Sequence, residues 1–371
     1  MRIGIEGSLF TEEPRGHAVY ARHLCRELGQ LLPQAEFLLY SAAPVREVDW
    51  PGRWRQCRQD SLAARVSPLV WQKVSLPRQL AADRLDVFWS PYSFLPATPR
   101  GLPTLLTIYD FVFREYPASF HPLHRLAFQL FLSRDARRAS QIITISQAVR
   151  AQIERDLQRP AQVILPGLDD GFGVSAAAEI ERVRARHHLQ RPYILSVAAW
   201  DPRKNIPRLI EGFRLLKQQG HLGDFQLVLV GHGDRDSPQV RRLLQPSEAD
   251  DIRTLGYVDQ QDLPGLYTGA EVFAFPSLYE GYGMPVAEAL ACGTRVLATD
   301  LPALREAGGE HCLYVEPTVE EISAGLLRSL ELPRPTTGGH FRRTWRESAV
   351  ELAAVLERLA TSPAAARPRG G

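Results

Sequence analysis

Cysteine is scarce: Cys25, Cys57, Cys292 and Cys312 are the only four in 371 residues, they lie far apart, and no two form a C-x-x-C pair. That spacing suggests neither a zinc site nor a disulfide framework, and a reduced, cytoplasmic protein is expected. No apolar run is long enough to span a bilayer, and the opening MRIGIEG reads as the start of a strand rather than a signal peptide. Charge of one sign is lacking as well. Lys and Arg number 44 against 42 Asp and Glu, a net +2, which argues against a nucleic-acid partner although arginine is locally dense. The dinucleotide fingerprint is absent, since GIEGSLF after the first strand is not G-x-G-x-x-G. In a second glycine turn, LVLVGHGDRDSP, Asp236 stands where the last small residue would be. None of the ten histidines sits in a nucleophile elbow, and His187-His188 falls in a charged connecting stretch, so Ser-His-Asp or Cys-His catalysis has little support.

What the chain does have is alternation of short apolar strands with helical patterns. The length fits two domains of about 150 to 200 residues. Strand candidates at 2–6, 37–40, 87–89, 104–108, 142–145 and 163–165 alternate with helices at 17–31, 69–80, 122–138 and 147–157. A Gly-, Asp- and Pro-containing stretch with a charged middle follows at 166–191 and reads as a connection. The alternation then restarts, with strands at 193–198, 226–230, 252–255, 272–275, 295–298 and 313–315 and helices at 206–218, 240–244, 263–268 and 285–292. Helical patterns at 320–330 and 346–359 close the chain. The expected organisation is α/β: a first Rossmann-like domain over 1–170, a linker over 171–191 and a second Rossmann-like domain over 192–335. A helical segment over 336–360 and a disordered tail over 361–371 complete it. Two such doubly wound parallel sheets facing each other would leave a cleft, with ligands at the carboxyl ends of the strands.

The chemistry concentrates in FPSLYEGYGMPVAEALACGTRVLATD, residues 275–300. A strand end, a loop with Glu280, Gly281 and Gly283, and a helix start at Met284-Pro285 lead to Glu288, the one charge of an otherwise apolar helix. A lone buried carboxylate costs several kcal/mol, as an order of magnitude, unless something hydrogen-bonds it. Favour from the helix dipole is the simpler reading of an acid there. The glycine loop and Pro285 at the first helical position also leave backbone N–H groups for an anion. AAWDPRKNIPRL places Arg203 and Lys204 at another strand end, suited to a diphosphate whose charge must be neutralised; a solvated basic turn is the alternative. Asp234 and Asp236 form a D-x-D that reads either as a Mg²⁺ holder on a diphosphate or, with more weight, as helix capping. Tyr109 and Asp110 end a buried strand, where Asp110 is a sugar contact or a turn residue. Finally, HPLHRLAFQLFLSRDARRAS is apolar at Leu123, Leu126, Leu130 and Phe131 with Arg125, Arg134, Arg137 and Arg138 interspersed. Packing on a sheet is the commoner use of such a helix, an anionic membrane surface or charged acceptor the rarer one.

In PSLYEGYGMPVAEALACGTRVLATD, Glu280 and Glu288 bracket seven residues, which resembles the signature of the retaining glycosyltransferases of family 4, with the GT-B fold. The likeness extends through RGHAVYARHL, TIYDF, ITISQAVR, VILPGLD, DPRKNIPRLIEGF, LVLVGHGD, TLGYVDQQDLPGLYTGA and LYVEP, in order and over nearly the whole chain. The resemblance implies two facing Rossmann-like domains and transfer of a mannose- or rhamnose-like hexose to a glycan or lipid-linked acceptor in surface polysaccharide assembly. The donor it implies is a nucleotide-diphosphate sugar, GDP-mannose-like, used as co-substrate with no cofactor and no metal. By the same resemblance Glu280 contacts the donor sugar and Glu288 holds the ribose. Arg203 and Lys204 bind the diphosphate, Gly281, Tyr282, Gly283 and Met284 approach sugar and phosphate, Tyr257 and Val258 lie by the base, and Gly16 approaches the diphosphate. Peripheral membrane contact is an accompanying expectation; the oligomeric state is left open.

Three departures stand out. Tyr109-Asp110 replaces a common His-Asp, Ala18 replaces the second glycine of an early G-x-G loop, and the AAW and Pro166-Gly167 segments differ from the usual glycine and Asn-Gly. The first two motivate a rival reading, a catalytically impaired nucleotide-sugar-binding subunit that acts through a partner protein.

Overall fold

A computed structural model describes residues 1–11, 16–46, 49–58, 68–117, 122–231, 240, 243–244, 251–335 and 343–362. Two compact units emerge. The first comprises Met1–Phe111, His121–Gly167 and Arg343–Gly371, the second Val112–Phe120 and Leu168–Arg342.

The first unit is built on seven strands: β1 (Arg2–Glu6), β2 (Glu36–Ser41), β3 (Arg53–Arg58), β4 (Val87–Ser90), β5 (Thr104–Ile108), β6 (Gln141–Thr144) and β7 (Gln162–Val163). They pair in parallel in the order β3-β2-β1-β4-β5-β6-β7. The second unit repeats the plan with β8 (Tyr193–Val197), β9 (Gln226–Val230), β10 (Ile252–Gly256), β11 (Val272–Phe275), β12 (Val296–Thr299) and β13 (Cys312–Val315). Its order is β10-β9-β8-β11-β12-β13, again all parallel. Central strands such as VFWS, TLLTI, QLVLV and VFAF are buried residue by residue, as parallel strands covered on both faces must be. In each sheet the winding direction reverses once, between β1 and β4 and between β8 and β11, and open α/β sheets hold ligands at such switch points.

β3, with the sequence RWRQCR, has no counterpart among the expected strands. It is an edge strand whose charged residues face solvent, so it lacks the apolar run by which its neighbours are recognised, and Trp54 stacking on Phe37 at 4.3 Å anchors it. The stretch expected to be linker carries a helix, Ala177–Arg186. Val183 is its one fully buried residue, so it shows little apolar stripe. Charge fastens it instead: Asp262 is fully buried and takes Arg182 at 2.7 Å, Arg186 at 3.0 Å and His187 at 3.0 Å. His187, which falls in a charged connecting stretch of the sequence, is thus half-buried within an ion cluster.

The final helix, Trp345–Ala360, opens with a capping box between Thr344 and Glu347 and belongs to the first unit. Trp345 stacks on His23 at 4.5 Å and meets Tyr20 edge-on, while Ser348 Oγ donates to the Leu165 carbonyl at 2.6 Å. Gly167 permits this approach, because a Cβ there would lie 2.3 Å from the Trp345 nitrogen. Residues 241–242 of the expected helix at 240–244, and the expected tail beyond Ser362, lie outside the described residues.

Candidate functional site

The loops after β8 and β11 leave adjacent strands at the switch point of the second sheet. After β8, Asp201 accepts from the Arg203 N–H at 2.9 Å and so caps a short turn, Pro202–Lys204. Asn205 then adopts a left-handed conformation that redirects the chain into the helix Ile206–Gln218, and its side chain donates to the Pro317 carbonyl at 3.3 Å. After β11, the Leu278 N–H donates to the Arg203 carbonyl at 2.6 Å, tying the two loops together. Tyr116, from the segment that follows β5 in sequence but belongs to this unit, donates its hydroxyl to the Leu278 carbonyl at 3.2 Å.

Between the loops lies one ion cluster. Lys204 is 9% exposed; its Nζ sits 2.5 Å from Glu280 Oε1 and 4.8 Å from the Phe275 ring centroid. Arg203 reaches Glu280 Oε2 at 3.6 Å and donates to the Tyr279 carbonyl at 3.3 Å. Burial holds the Lys204 ammonium below the ordinary lysine range against the pull of Glu280, and the Arg203 charge adds to the lowering. Of the residues expected to act together, Arg203, Lys204 and Glu280 are therefore in mutual reach, on two loops separated by more than seventy residues of sequence.

The helix Met284–Ala291 begins at Gly283, whose φ of 115° is left-handed and whose Cβ would meet Leu304 Cδ2 at 2.6 Å. Both facts demand glycine. Gly283→Ala is expected to cost at least the roughly 1–2 kcal/mol of that backbone conformation, read as a lowered melting temperature. Tyr282 is buried and Gly281 half-buried, and Met284 packs with Leu168, Phe172, Ala287 and Ala291.

Glu288 is half-buried, and its partner is a residue that sequence reading missed: Tyr267, on the helix Leu263–Gly269, donates its hydroxyl to Oε2 at 2.8 Å. Burial pushes the Glu288 carboxyl from 4.5 up to about 7; the Tyr267 hydrogen bond opposes this and the Asp169 charge reinforces it. The carboxylate that looked isolated on an apolar helix thus has a donor. The remaining loop is stitched to the sheet by Gly231 N–H donating to the Gly256 carbonyl at 2.7 Å. Beyond it Tyr257 is 76% exposed and Val258 buried, so only the first presents its side chain to solvent. Asp234 and Asp236 fall outside the described residues.

In the first unit, Gly16 precedes the helix His17–Leu31 with a φ of 47°, and among the described residues no atom lies near the place of a Cβ. Tyr109, at the end of β5, is buried and stacks on the His17 ring at 4.0 Å with the planes 9° apart. His17 Nε2 lies 3.4 Å from Asp110 Oδ2, and its side chain is nearly half exposed. An imidazole is therefore present beside Asp110, supplied by His17 and not from the position of Tyr109. Only the adjacency of His17 to Gly16 hinted at it in the sequence. Ala18 is buried in the first turn of the helix.

Two all-parallel, doubly wound sheets agree with comparisons against known proteins. Residues 14–172 match the model described as Glycosyltransferase Family 4, and residues 191–331 the model described as Glycosyl transferases group 1. O-antigen chain mannosyltransferase B of Escherichia coli is 31% identical over 72% of this chain and 72% of its own. MMP alpha-(1->4)-mannosyltransferase of Mycolicibacterium hassiacum is 28% identical over 98% of this chain and 100% of its own. Among solved structures, sucrose-phosphate synthase of Thermosynechococcus elongatus superposes with a TM-score of 0.68 at 20% identity, over 97% of this chain and 96% of the other, a likeness of fold. With both sheets, the order of motifs and these relatives in agreement, the chain belongs to glycosyltransferase family 4, the glycosyl transferases group 1, with the GT-B fold.

Proposed function

We propose that this glycosyltransferase moves a mannose-like hexose from a nucleotide-diphosphate donor, GDP-mannose-like, to a hydroxyl of a glycan or lipid-linked acceptor in surface polysaccharide assembly, with retention at the anomeric carbon. The observation that carries the reading is the Glu280 carboxylate held between Lys204 and Arg203 on the two switch-point loops. The names of the relatives, O-antigen chain mannosyltransferase B among them, support the choice of sugar.

In this reading the acceptor oxygen bonds to the anomeric carbon on the face from which the diphosphate departs. The carbon–oxygen bond to the diphosphate breaks, and a departing phosphate oxygen takes the acceptor's proton. Negative charge grows on the phosphate, where Arg203, Lys204 and the N–H groups from Gly281 to Met284 stabilise it more in the transition state than in the ground state. Glu280 faces the sugar hydroxyls and orients both cations, Glu288 accepts from the ribose, Tyr257 and Val258 flank the base, and Gly16 serves the diphosphate. Tyr109 and Asp110 line the acceptor side, with His17 supplying the imidazole there.

Because two cations already meet the diphosphate, turnover is expected to survive chelation by EDTA with less than about twofold loss; abolition by EDTA and rescue by Mg²⁺ would reverse that part. The function is tested by incubating the protein with GDP-, UDP-, dTDP- and ADP-sugars and a panel of acceptors, following nucleotide release and the anomer formed. Release from GDP-mannose with an α-linked product supports the reading, and a β-linked product refutes retention. The rival reading, a binding subunit without chemistry, draws on Tyr109 and Ala18; thermal stabilisation by a donor with no turnover on any acceptor would favour it. His17→Ala separates the two as well, since loss of turnover with donor affinity kept is expected only of an enzyme.

A further inference from the structure

Among the described residues of the first unit, Asp135 and Glu6 are the buried acids. Asp135 is paired with Lys73 at 2.5 Å, whereas Glu6 makes no ion pair among the described residues. Its Oε1 accepts from the Ser8 N–H at 3.1 Å and from the Ser8 hydroxyl, while Oε2 is buried and has no hydrogen-bond partner among the described residues. Burial pushes the carboxyl from 4.5 up to about 7, against both Ser8 bonds. An oxygen left in this state costs free energy, and a turn can be closed by a neutral side chain. The position of Glu6 supplies a reason for the acid. It ends β1, where the first sheet reverses, and its charge is felt by Tyr109 at the end of β5. β1 and β5 flank β4, so their carboxyl ends lie about 10 Å apart, two strand spacings, on the edge where open α/β sheets take ligands. Ser8 is only half-buried. With its one proton committed to Glu6, its Oγ keeps acceptor capacity, and among the described residues nothing donates to it.

We propose that Ser8 is a saccharide subsite of the first unit, its Oγ accepting from a hydroxyl of the acceptor sugar, and that Glu6 is the positioning residue that fixes it. The proposal rests on the glycosyl transfer proposed above, whose acceptor presents hydroxyl groups. A serine whose proton is spent can only accept, so it selects ligand O–H or N–H groups over phosphate or carboxylate. The Glu6 charge two residues away repels anions as well, the opposite of the cationic cluster formed by Lys204 and Arg203 in the second unit. A neutral hydroxyl is the group that satisfies both conditions.

The test is a saturation-transfer NMR titration of the full chain with methyl α-mannoside, beside calorimetry with GDP, at a pH about one unit above the Glu6 transition so that the carboxylate is ionised. The parent should bind the mannoside. Ser8→Ala should weaken that binding roughly threefold to tenfold, the worth of one hydrogen bond, with GDP affinity kept. Glu6→Gln, which keeps an oxygen for Ser8, should lose less than Glu6→Leu. Neither should lose anything further in the Ser8→Ala background, because Glu6 acts through Ser8. Ser8→Ala decides the matter even where Glu6→Leu does not fold. No mannoside binding by the parent, unchanged affinity in Ser8→Ala, or an equal loss of GDP affinity overturns the proposal. So does a lowered melting temperature as the sole effect of Ser8→Ala, which is what a purely structural turn predicts. Mannoside binding that Ser8→Ala weakens, in a protein that releases nucleotide from no donor, refutes the transfer reaction and supports the subsite. Turnover with an acceptor KM unmoved by Ser8→Ala refutes the subsite alone.

Discussion

Lys204→Ala and Glu280→Ala are each expected to lower turnover by roughly 10²-fold or more, because the first removes a cation that meets the charge growing on the diphosphate and the second removes the carboxylate that faces the sugar and orients both cations. Their effects on folding should differ. Glu280→Ala leaves the buried Lys204 ammonium beside Arg203 without its hydrogen-bonded carboxylate, and breaking a buried pair in this way costs about 3–5 kcal/mol. Lys204→Ala leaves Glu280 facing Arg203 at 3.6 Å, so the remaining carboxylate keeps a cation and the protein should melt higher than the Glu280 variant. The double variant should fall little below the worse single one, since the two groups act as a unit. Steady-state rates and melting curves on the four proteins decide the matter. Unchanged kinetics in both single variants would sink the assignment of this cluster to catalysis.

Nucleotide affinity is expected to fall with acidification by up to about tenfold per pH unit below the Glu288 transition, and to level off above it. The sign follows from the raised carboxyl. In the proposed function ribose hydroxyls donate to an ionised Glu288, so at pH values below about 7 binding would first expel a proton. The same shift acts on folding in the opposite sense. Between 4.5 and about 7 the native carboxyl keeps a proton that the unfolded chain has released, so this group's contribution to stability is complete below 4.5 and is lost as pH rises through about 7. The ligand-free protein should therefore lose thermal stability over the window in which it gains nucleotide affinity. Glu288→Gln should flatten the affinity profile. Tyr267→Phe removes a hydrogen bond that favours the carboxylate and should move the onset to higher pH. Titration calorimetry with GDP across this range gives the measurement, and a wild-type slope persisting in Glu288→Gln would assign the proton elsewhere.

Much of the second sheet is visible in the sequence because a strand buried on both faces is apolar nearly throughout, as in Gln226–Val230 after its opening glutamine and in Val272–Phe275. Helices with a wide apolar face, such as Ile206–Gln218, are equally plain. What escapes is whatever tertiary contact decides. The edge strand Arg53–Arg58 borrows its pairing from β2, and Ala177–Arg186 is attached through one buried aspartate rather than an apolar stripe. At the site, the loops announce Glu280, Glu288, Arg203 and Lys204 by spacing and by position after strands. The partners do not announce themselves. Nothing local links Tyr267 to Glu288 or His17 to Asp110, since helix packing in the first case and a strand end in the second bring them together.

The route of the chain limits how the enzyme can be rebuilt. Because the first unit is completed by the helix Trp345–Ala360 and the second takes in Val112–Phe120, the backbone passes from one unit to the other four times. A fragment ending near residue 167 would lack the surface that covers Tyr20 and His23, and a fragment beginning there would lack Tyr116 beneath the Glu280 loop. A chimera meant to exchange donor specificity with a relative must therefore transplant the loop after β5 along with the second half, and keep the last helix with its original host.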